Sequence, residues 1–515
     1  NGRVYGGALS LNWTFSRDMF DEATLQRLAD EYAQELATLI DHCCQPQNSA
    51  ITPSDVPLAQ LSQAQLDALP VPAHLIENLY PLSPMQQGML FHALYEHDSG
   101  SYINQMRLDI DGLVPERFQQ AWQAAVEAND ILRTNFLWQG EIDAPLQLVH
   151  KQVTLPFTLH DWRSEQQQTA ALDELAHRER LGFDLSQGPL LRLQLVRTGD
   201  TCYHLLYTHH HILMDGWSNS QLLGEVLQRY NGQFQAKTHG SYRDYIGWLQ
   251  RQDKAVSRDF WREQLAALQE PTRLAQAAAH LPETEGYAEH FQQLDPAHTL
   301  VLSEFARQQK VTVNTLLQAA WLLLLQRYTG HDTVCFGATV SGRPAELKGI
   351  EQQIGLFINT LPVIASPRQE QSVAQWLQQI QNQNLALREQ EHTPLYEVQR
   401  WSDLAGEALF DNLLVFENYP ISEALEQGAC DSLSFGELSN HEQTNYPLTL
   451  AVGLNDKLSL RYSYDLKHFT PRLIEQISAH LAQLLDSICH SAQLSLGDLN
   501  LLLEPEQHLL RTWND

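Results

Sequence analysis

Two stretches of the chain, far apart in sequence, share one pattern. Residues 9–20 read LSLNWTFSRDMF and residues 458–469 read LSLRYSYDLKHF, and in both the leucine and aromatic side chains alternate as on a strand. Apolar residues then recur at helical spacing after each stretch. They are Leu25, Leu28, Tyr32, Leu36 and Leu39 in the first copy and Ile474, Ile477, Leu481, Leu485 and Ile488 in the second. Because the register matches, we interpret the two copies as true repetition rather than chance.

The repeat divides the chain into units. Residues 1–50 are predicted to be the C-terminal tail of an upstream domain related to the main one, and residues 51–74, rich in Pro, Gln, Ser and Ala, to be a linker. The main unit follows over 75–496, and 497–515 is predicted to be an exit linker with a short amphipathic helix. A chain of 515 residues rarely holds a single core, so two or more lobes are expected. Because the sequence begins at Asn1 rather than Met, we expect a piece of a longer protein.

Charge and composition argue against several classes of partner. The formal net charge is −29, and contacts with nucleic acid or anionic membranes need concentrated Lys and Arg. No apolar run approaches the roughly 18 residues of a membrane helix, and no secretory signal opens the chain. The 6 cysteines include no CxxC pair, which favours a reduced, cytoplasmic setting.

Strands and helices alternate along the main unit, which indicates an α/β fold. Gln194–Tyr207 and Thr333–Val340 have strand patterns, whereas Asn219–Tyr230 and Ser303–Tyr328 have helical ones. Neither GxGxxG nor GxxxxGKS/T occurs, so the common nucleotide-binding fingerprints are missing.

The stretch with the most chemistry is YTHHHILMDGWS, residues 207–218, at the end of one of these strand patterns. If the strand continues, His209 and His211 point to one face of the sheet and His210 to the other. Three adjacent imidazoles at a strand end need an explanation.

The residues after the histidines predict a turn into a helix. Asp215 and Gly216 reverse the chain, and Ser218 is the expected N-cap of a helix over 219–230. Such a helix start presents free backbone N–H groups and the positive end of the helix dipole. An oxyanion could be stabilised there.

Three interpretations fit the histidines. They can be ordinary residues of a polar strand edge. They can be metal ligands if His209, His211 and Asp215 converge, because zinc sites need three or four ligands. The other suggestive ligands, His392 and His441, lack pair spacing. Alternatively, one histidine can act in acid–base catalysis, because its pKa suits proton transfer near neutral pH.

HHILMDG, residues 210–216, matches HHxxxDG, the signature of the condensation domains of nonribosomal peptide synthetases. These domains belong to the chloramphenicol-acetyltransferase-like superfamily. Four further segments resemble motifs of the same family, so the resemblance covers nearly the whole main unit. They are YPLSPMQQGMLFHALY at 80–95, ILRTNF at 131–136, SYRDYIGWLQRQ at 241–252 and IGLFINTLPV at 354–363.

The resemblance implies an α/β architecture of two chloramphenicol-acetyltransferase-like lobes in a V-shaped pseudo-dimer. The active site would lie at the lobe interface, in a tunnel open at both ends. The N-terminal lobe is expected over 75–260 and the C-terminal lobe over 261–496, with a hinge near 262–282.

The resemblance also assigns site residues. His211 is the implied catalytic histidine, and Asp215 is mainly structural, since a carboxylate beyond the base is better placed to clamp the turn than to relay a proton. The residues implied in the catalytic motif are His211, His210, Asp215 and Gly216. The arginine implied to pair with Asp215 is Arg343, with Arg133 as the second choice. The residues implied along the tunnel are Trp217, Ser218 and Asn359. For Trp217 a place in the core is the preferred alternative.

The motif separates this chain from two relatives in the superfamily. Heterocyclisation domains carry Asp in place of the motif histidines, and epimerisation domains usually follow HHxxxDG with Ser-Trp, whereas Ser218 precedes Asn219 here. The tail segments WTFS and LATLIDHC resemble the end of an epimerisation domain, and SPMQQGML is similar to the first motif of condensation domains that take a D-configured donor. The final LLLEPEQHLLRTWND resembles a linker into an adenylation domain.

The implied reaction is amide formation. The amine of an L-aminoacyl thioester on a downstream peptidyl carrier protein attacks a D-configured thioester on an upstream peptidyl carrier protein. No intrinsic cofactor is expected, because the 4'-phosphopantetheine arms arrive on the carriers. Adjacent epimerisation and adenylation domains are the other implied partners. The alternatives are an epimerisation-type domain, a non-catalytic carrier-docking domain and a metal-dependent hydrolase.

One cluster of basic residues could serve docking. Arg251, Lys254, Arg258 and Arg262 recur at helical spacing in an otherwise acidic chain and could meet an acidic carrier protein. A solvated helix face is the preferred interpretation of the same pattern.

Overall fold

The computed structural model describes residues 2–514 except residues 7, 46–49, 96–101, 236–239, 278–284, 405, 418–424, 426–432 and 443. Part of the expected hinge, 278–282, therefore lies outside the described residues. Among the helices of the described residues, none is long and apolar enough to cross a membrane.

A small hairpin and a long helix open the chain, followed by a short helix. They are β1 (Gly2–Tyr5), β2 (Ala8–Leu11), α1 (Glu22–Cys43) and α2 (Gln63–Asp67). The linker around α2 is docked, because Val56, Leu61 and Leu66 are buried against the strands that follow.

The first lobe contains a five-stranded sheet and a three-stranded sheet. Its elements in chain order are β3 (Ile76–Pro81), α3 (Pro84–Tyr95), β4 (Ile103–Asp111), α4 (Pro115–Ala128), β5 (Thr134–Leu137), β6 (Leu146–His150), β7 (Phe157–Asp161), α5 (Gln168–Glu179), β8 (Leu191–Arg197), β9 (Cys202–His210), α6 (Gly216–Tyr230) and α7 (Tyr242–Gln250). Helix α8 (Lys254–Leu265) follows and packs Trp261 and Leu265 into the core of the second lobe.

The second lobe is built on a six-stranded sheet in the order β10-β16-β15-β13-β11-β12. The remaining elements are α9 (Leu274–Ala277), β10 (Tyr287–Gln293), α10 (Pro296–Gln308), α11 (Val313–Thr329), β11 (Val334–Val340), β12 (Asn359–Ala365), α12 (Val373–Arg388), α13 (Leu395–Trp401), β13 (Asn412–Glu417), β14 (Ser434–His441), β15 (Leu448–Leu454), β16 (Leu458–Asp465), α14 (Pro471–His490) and α15 (Glu504–Asn514). Helix α11 is apolar around most of its surface, and residues 315–325 of it are all buried in the core.

The two lobes share structure across their boundary. Strand β14 lies between β13 and β15 of the second lobe in sequence but pairs antiparallel with β4, so it completes the first lobe's sheet in the order β14-β4-β9-β8-β7. Leu356 and Phe357, from the segment before β12, are buried in the first lobe's core. The expected division at 260/261 falls inside helix α8, and segments of the second half of the chain complete the first lobe.

Two elements differ from the sequence prediction. The strand expected over Gln194–Tyr207 is a hairpin of β8 and β9, because the chain reverses where the Thr198 N–H donates to the Cys202 carbonyl at 3.0 Å. The helix expected over Ser303–Tyr328 is two helices, α10 and α11. Lys310 between them has φ of 57°, and a left-handed residue ends an α-helix.

The two repeat copies have similar local structure but differ in whether their helix is buried. Each has an antiparallel hairpin followed by a helix, and Asp21 and Thr470 cap the two helices at matching places in the repeat. Helix α14 buries its apolar face, whereas no residue of α1 is buried. Tyr32 is 48% exposed and Leu39 58%. The first copy thus exposes an apolar helix face, whereas the second copy covers the matching face with a core.

Candidate active site

The three adjacent histidines occupy three different environments. His209, near the end of β9, is buried with its ring stacked on Tyr207 at a centroid distance of 4.9 Å. Neither of its ring nitrogens has a hydrogen-bond partner among the described residues. Burial lowers the pKa of His209 to about 3, so the ring is neutral at physiological pH.

His210 supports the backbone turn that follows the strand. Its Nδ1 accepts a hydrogen bond from the Ile212 N–H at 3.1 Å, which caps the short 3-10 turn over His211–Leu213. Burial, and then the charge of His211, lower the pKa of His210 to about 3. This histidine therefore acts as a neutral hydrogen-bond acceptor in the turn.

His211 is the histidine that faces a cavity. The expectation that His209 and His211 share a sheet face is wrong, because β9 ends at His210 and His211 begins the turn. His211 Nδ1 lies 2.8 Å from the Met214 carbonyl oxygen. Since a carbonyl only accepts, Nδ1 carries the hydrogen and the lone pair is on Nε2. Nε2 is thus prepared to accept a proton, in a side chain that is 10% exposed.

Asp215 fixes the turn between His211 and helix α6. Its carboxylate accepts hydrogen bonds from the Ser218 N–H at 2.8 Å and the Phe357 N–H at 3.0 Å. Asp215 is therefore the N-cap of α6, and the expectation that Ser218 would cap this helix is wrong. The Phe357 contact joins this turn to the segment that precedes the second lobe's β12.

Arg343 lies 3.3 Å from Asp215 Oδ1 through its Nη2, and both side chains are almost fully buried. The same nitrogen donates to Ser218 Oγ at 2.7 Å, and the guanidinium stacks over the Phe357 ring at 4.1 Å. Gly342 precedes it with φ of 60°, where a Cβ would lie 1.9 Å from the Phe357 carbonyl oxygen, so this approach requires glycine.

Arg133, the second candidate for the Asp215 partner, is paired elsewhere. Its guanidinium contacts Asp130 at 2.9 Å and also binds Glu77 and the His150 carbonyl. Since the charge of Arg133 is used inside the first lobe, it stabilises the entry to β5 rather than the histidine turn.

A cavity of about 720 Å³ lies where the two lobes meet, and His211 and Gly216 line it. Its walls come from α3 and the histidine turn on one side and from β11, β12, β13, β15 and β16 on the other. A second cavity of about 590 Å³ lies between α11, α12 and the loop that carries Arg343. Thr339 lines both cavities, so the two approach each other at this residue.

The three side chains assigned to the tunnel have different positions. Asn359 lines the large cavity, and its Nδ2 donates to the carbonyls of Glu391 at 2.9 Å and Thr393 at 2.6 Å, which holds that loop. Ser218 is fully buried, with its Oγ donating to the Gly355 carbonyl at 2.7 Å, so it points into the protein. Trp217 is outside the lining of either cavity and donates to the Glu351 carbonyl at 2.9 Å.

The expected basic row does not lie on one helix. Arg251 ends α7, and α8 begins after a break at Asp253. Lys254 is 3.2 Å from Glu397, and Arg258 contacts its neighbour Asp259 at 3.1 Å. Acidic partners therefore offset the charges of Lys254 and Arg258 within this cluster.

The histidine stretch does not form a metal-ligand set. The Asp215 oxygens are used by backbone N–H groups and Arg343, and His392 Nε2 is 3.1 Å from Ser257 Oγ. Within the described part of the chain, no three His, Cys, Asp or Glu side chains are grouped closely enough to hold a metal ion.

Sequence reasoning missed three charged residues that line the large cavity: Glu417, Glu442 and Arg461. Arg461 Nη2 contacts Glu417 Oε1 at 3.2 Å. Burial, and then repulsion by Glu442, raise the pKa of Glu417 to about 7. No motif marks these residues, although Arg461 occupies a polar position in the alternation of LSLRYSYD and so is on the opposite face of β16 from the core leucines.

Comparison with known proteins finds relatives along the whole chain. The model of the family described as "Condensation domain" matches residues 76–511. The chain is 40% identical over 530 residues to a linear gramicidin synthase from Brevibacillus parabrevis and 34% identical over 538 residues to bacitracin synthase 3 from Bacillus licheniformis. Each alignment covers 100% of this chain, but they cover only 7% and 8% of the relatives. The chain thus spans less than a tenth of the length of these two curated relatives.

Solved structures show the same fold. A four-domain nonribosomal peptide synthetase bound to AMP and glycine aligns with a TM-score of 0.72 and 17% identity, covering 84% of this chain and 34% of that one. The starter condensation domain of rhizomide synthetase, solved as a mutant in complex with C8-CoA and Leu-SNAC, aligns with a TM-score of 0.67 and 19% identity. That alignment covers 82% of this chain and 98% of the solved one.

Proposed function

The chain belongs to the condensation domain family of nonribosomal peptide synthetases, and we propose that it joins a D-configured peptidyl or aminoacyl thioester to an L-aminoacyl thioester acceptor. Condensation domains catalyse amide bond formation between carrier-bound substrates. The observation that carries the proposal is His211 Nε2, which presents a lone pair to a cavity between the two lobes.

In the proposed reaction the acceptor amine attacks the donor thioester carbon, the C–N bond forms and the C–S bond breaks. His211 Nε2 accepts a proton from the nitrogen, and the sulfur leaves as a thiol on the upstream carrier's arm. Gly216 lines the cavity without a side chain, so the acyl group can approach the start of α6. Holding both thioesters in one cavity contributes by orientation, which can lower a barrier by several kcal/mol.

The two cavities support a tunnel with two entrances. Because Thr339 lines both, the two cavities approach each other at this residue. We assign the entrances to the 4'-phosphopantetheine arms of upstream and downstream peptidyl carrier proteins. These arms belong to the substrates. The same proposal includes the two carriers, a neighbouring adenylation domain and a cytoplasmic location.

The N-terminal hairpin and α1 support the donor configuration. Their exposed apolar face is what the end of a domain of the same kind would present once the rest of that domain is removed. Together with WTFS and LATLIDHC, which resemble the end of an epimerisation domain, this favours an upstream partner that supplies a D-residue.

The donor configuration is testable with two purified, loaded carriers. The donor carrier bears the same residue in D or L form, and the acceptor carrier bears an L-residue. We expect the D-donor to react at least about 10-fold faster, a discrimination within reach of a shaped pocket. Intact mass of the acceptor carrier over time measures both rates. Equal rates would reject the D-donor assignment and leave the amide-forming reaction in place.

A further inference from the structure

Glu442 directly follows strand β14, which belongs to the first lobe's sheet. After this residue the chain returns to β15 of the second lobe. Glu442 Oε1 lies 3.8 Å from His211 Nε2, and both side chains line the large cavity. The glutamate side chain is 36% exposed and the histidine 10%, so a ligand in the cavity can reach both.

The 3.8 Å separation is too long for a direct hydrogen bond between the two atoms. A nitrogen at about 2.8 to 3.0 Å from each atom does fit across it. Both atoms are acceptors, because Nδ1 of His211 already donates to the Met214 carbonyl and a carboxylate only accepts. The pair therefore suits a cation with two or more N–H donors.

The charges that line the cavity point the same way. Among the described residues they are two carboxylates, Glu417 and Glu442, and one guanidinium, Arg461. Arg461 binds Glu417 at 3.2 Å, so one carboxylate has its partner within the protein. Glu442 supplies the further negative charge, next to the proton acceptor of the site. A cationic group of the substrate would give this carboxylate a charged partner beside His211.

We propose that Glu442 Oε1 and His211 Nε2 together bind the ammonium group of the acceptor, with Glu442 a catalytic residue that selects the charged amine. This inference rests on the proposed function. The ammonium gives one proton to His211 Nε2, and the resulting amine forms the C–N bond while the C–S bond breaks. Of the two protons that the nitrogen loses, one ends on the thiol and the other leaves to water.

The assignment has a consequence for specificity. A hydroxyl in place of the ammonium is neutral and has a single donor, so it can satisfy only one of the two acceptors. Glu442 therefore makes the site discriminate between an amino acid and the matching hydroxy acid, in addition to helping the reaction.

The test is a comparison of two soluble acceptor probes. They are the N-acetylcysteamine thioesters of L-alanine and of L-lactic acid, titrated calorimetrically into the whole chain. We expect the wild-type protein to bind the amine probe about 10- to 100-fold more tightly, as for hydrogen bonds to charged groups. In Glu442→Gln the ratio should fall to within about threefold, and Glu442→Asp should restore part of it. Glu304→Gln, an exposed carboxylate on α10, is the control and should keep the wild-type ratio.

The outcomes separate the two proposals. An unchanged ratio in Glu442→Gln, with an unchanged thermal unfolding midpoint, overturns the role of Glu442 and leaves the condensation activity untouched. Equal binding of both probes by a wild-type protein that still forms amide would also overturn the role of Glu442. If the wild-type protein binds neither probe and forms no amide from loaded carriers, the proposed function fails and the inference fails with it.

Discussion

His211→Ala is expected to lower the rate of amide formation by about 10²- to 10⁴-fold, the usual contribution of a positioned acid–base group. The reason is that His211 Nε2 presents a lone pair to the cavity, whereas His209 is buried against Tyr207 and His210 caps a turn. Single-turnover assays with both carriers loaded measure the rate. Truncation of a side chain at the cavity wall should leave the fold intact.

A control separates loss of chemistry from loss of structure. His298→Ala removes a half-exposed histidine on α10 and is expected to react at the wild-type rate. If His211→Ala keeps its rate within about threefold of wild type, proton transfer to this imidazole does not limit the reaction. Catalysis would then rest on orientation of the two thioesters.

Arg343→Ala is expected to lower the free energy of unfolding by about 3–5 kcal/mol, because it leaves the buried Asp215 carboxylate without its partner. The change also removes the donor to Ser218 Oγ and the contact with the Phe357 ring. Denaturant titration followed by tryptophan fluorescence measures the loss.

A double-variant cycle tests whether the loss comes from the pair. Asp215→Ala combined with Arg343→Ala should cost clearly less than the sum of the two single changes, because the residues are in contact. Additive losses, or a loss below about 1 kcal/mol for Arg343→Ala, would show that the pair does not clamp the turn.

Features encoded by nearby residues could be predicted from the sequence. The expected α/β fold with two lobes and the resemblance to condensation domains are both confirmed. The strand, turn and helix around the histidines follow from apolar alternation and from Asp215-Gly216, which are local signals. Even here the cap is Asp215 rather than Ser218, because both residue types suit the position and tertiary contacts with Phe357 decide between them.

Features that depend on distant parts of the chain could not be predicted. Pairing of β14 with β4 joins residues far apart in sequence, and nothing in the local pattern of either strand specifies the partner. Glu442 reaches His211 only because of that pairing, so no local signal in the sequence places it near the site. The prediction of one basic helix face failed because the helical spacing of basic residues continues in the sequence across the break at Asp253.

We propose that the cavity between the lobes forms an amide between two carrier-bound thioesters. Incubation of the purified chain with both loaded carriers, followed by the intact mass of the acceptor carrier, measures this reaction. We expect the acceptor carrier to gain the mass of the donor acyl group while the donor carrier returns to its free thiol form. If both carriers keep their original loads in the presence of folded protein, the chain is a docking module and the catalytic account is contradicted.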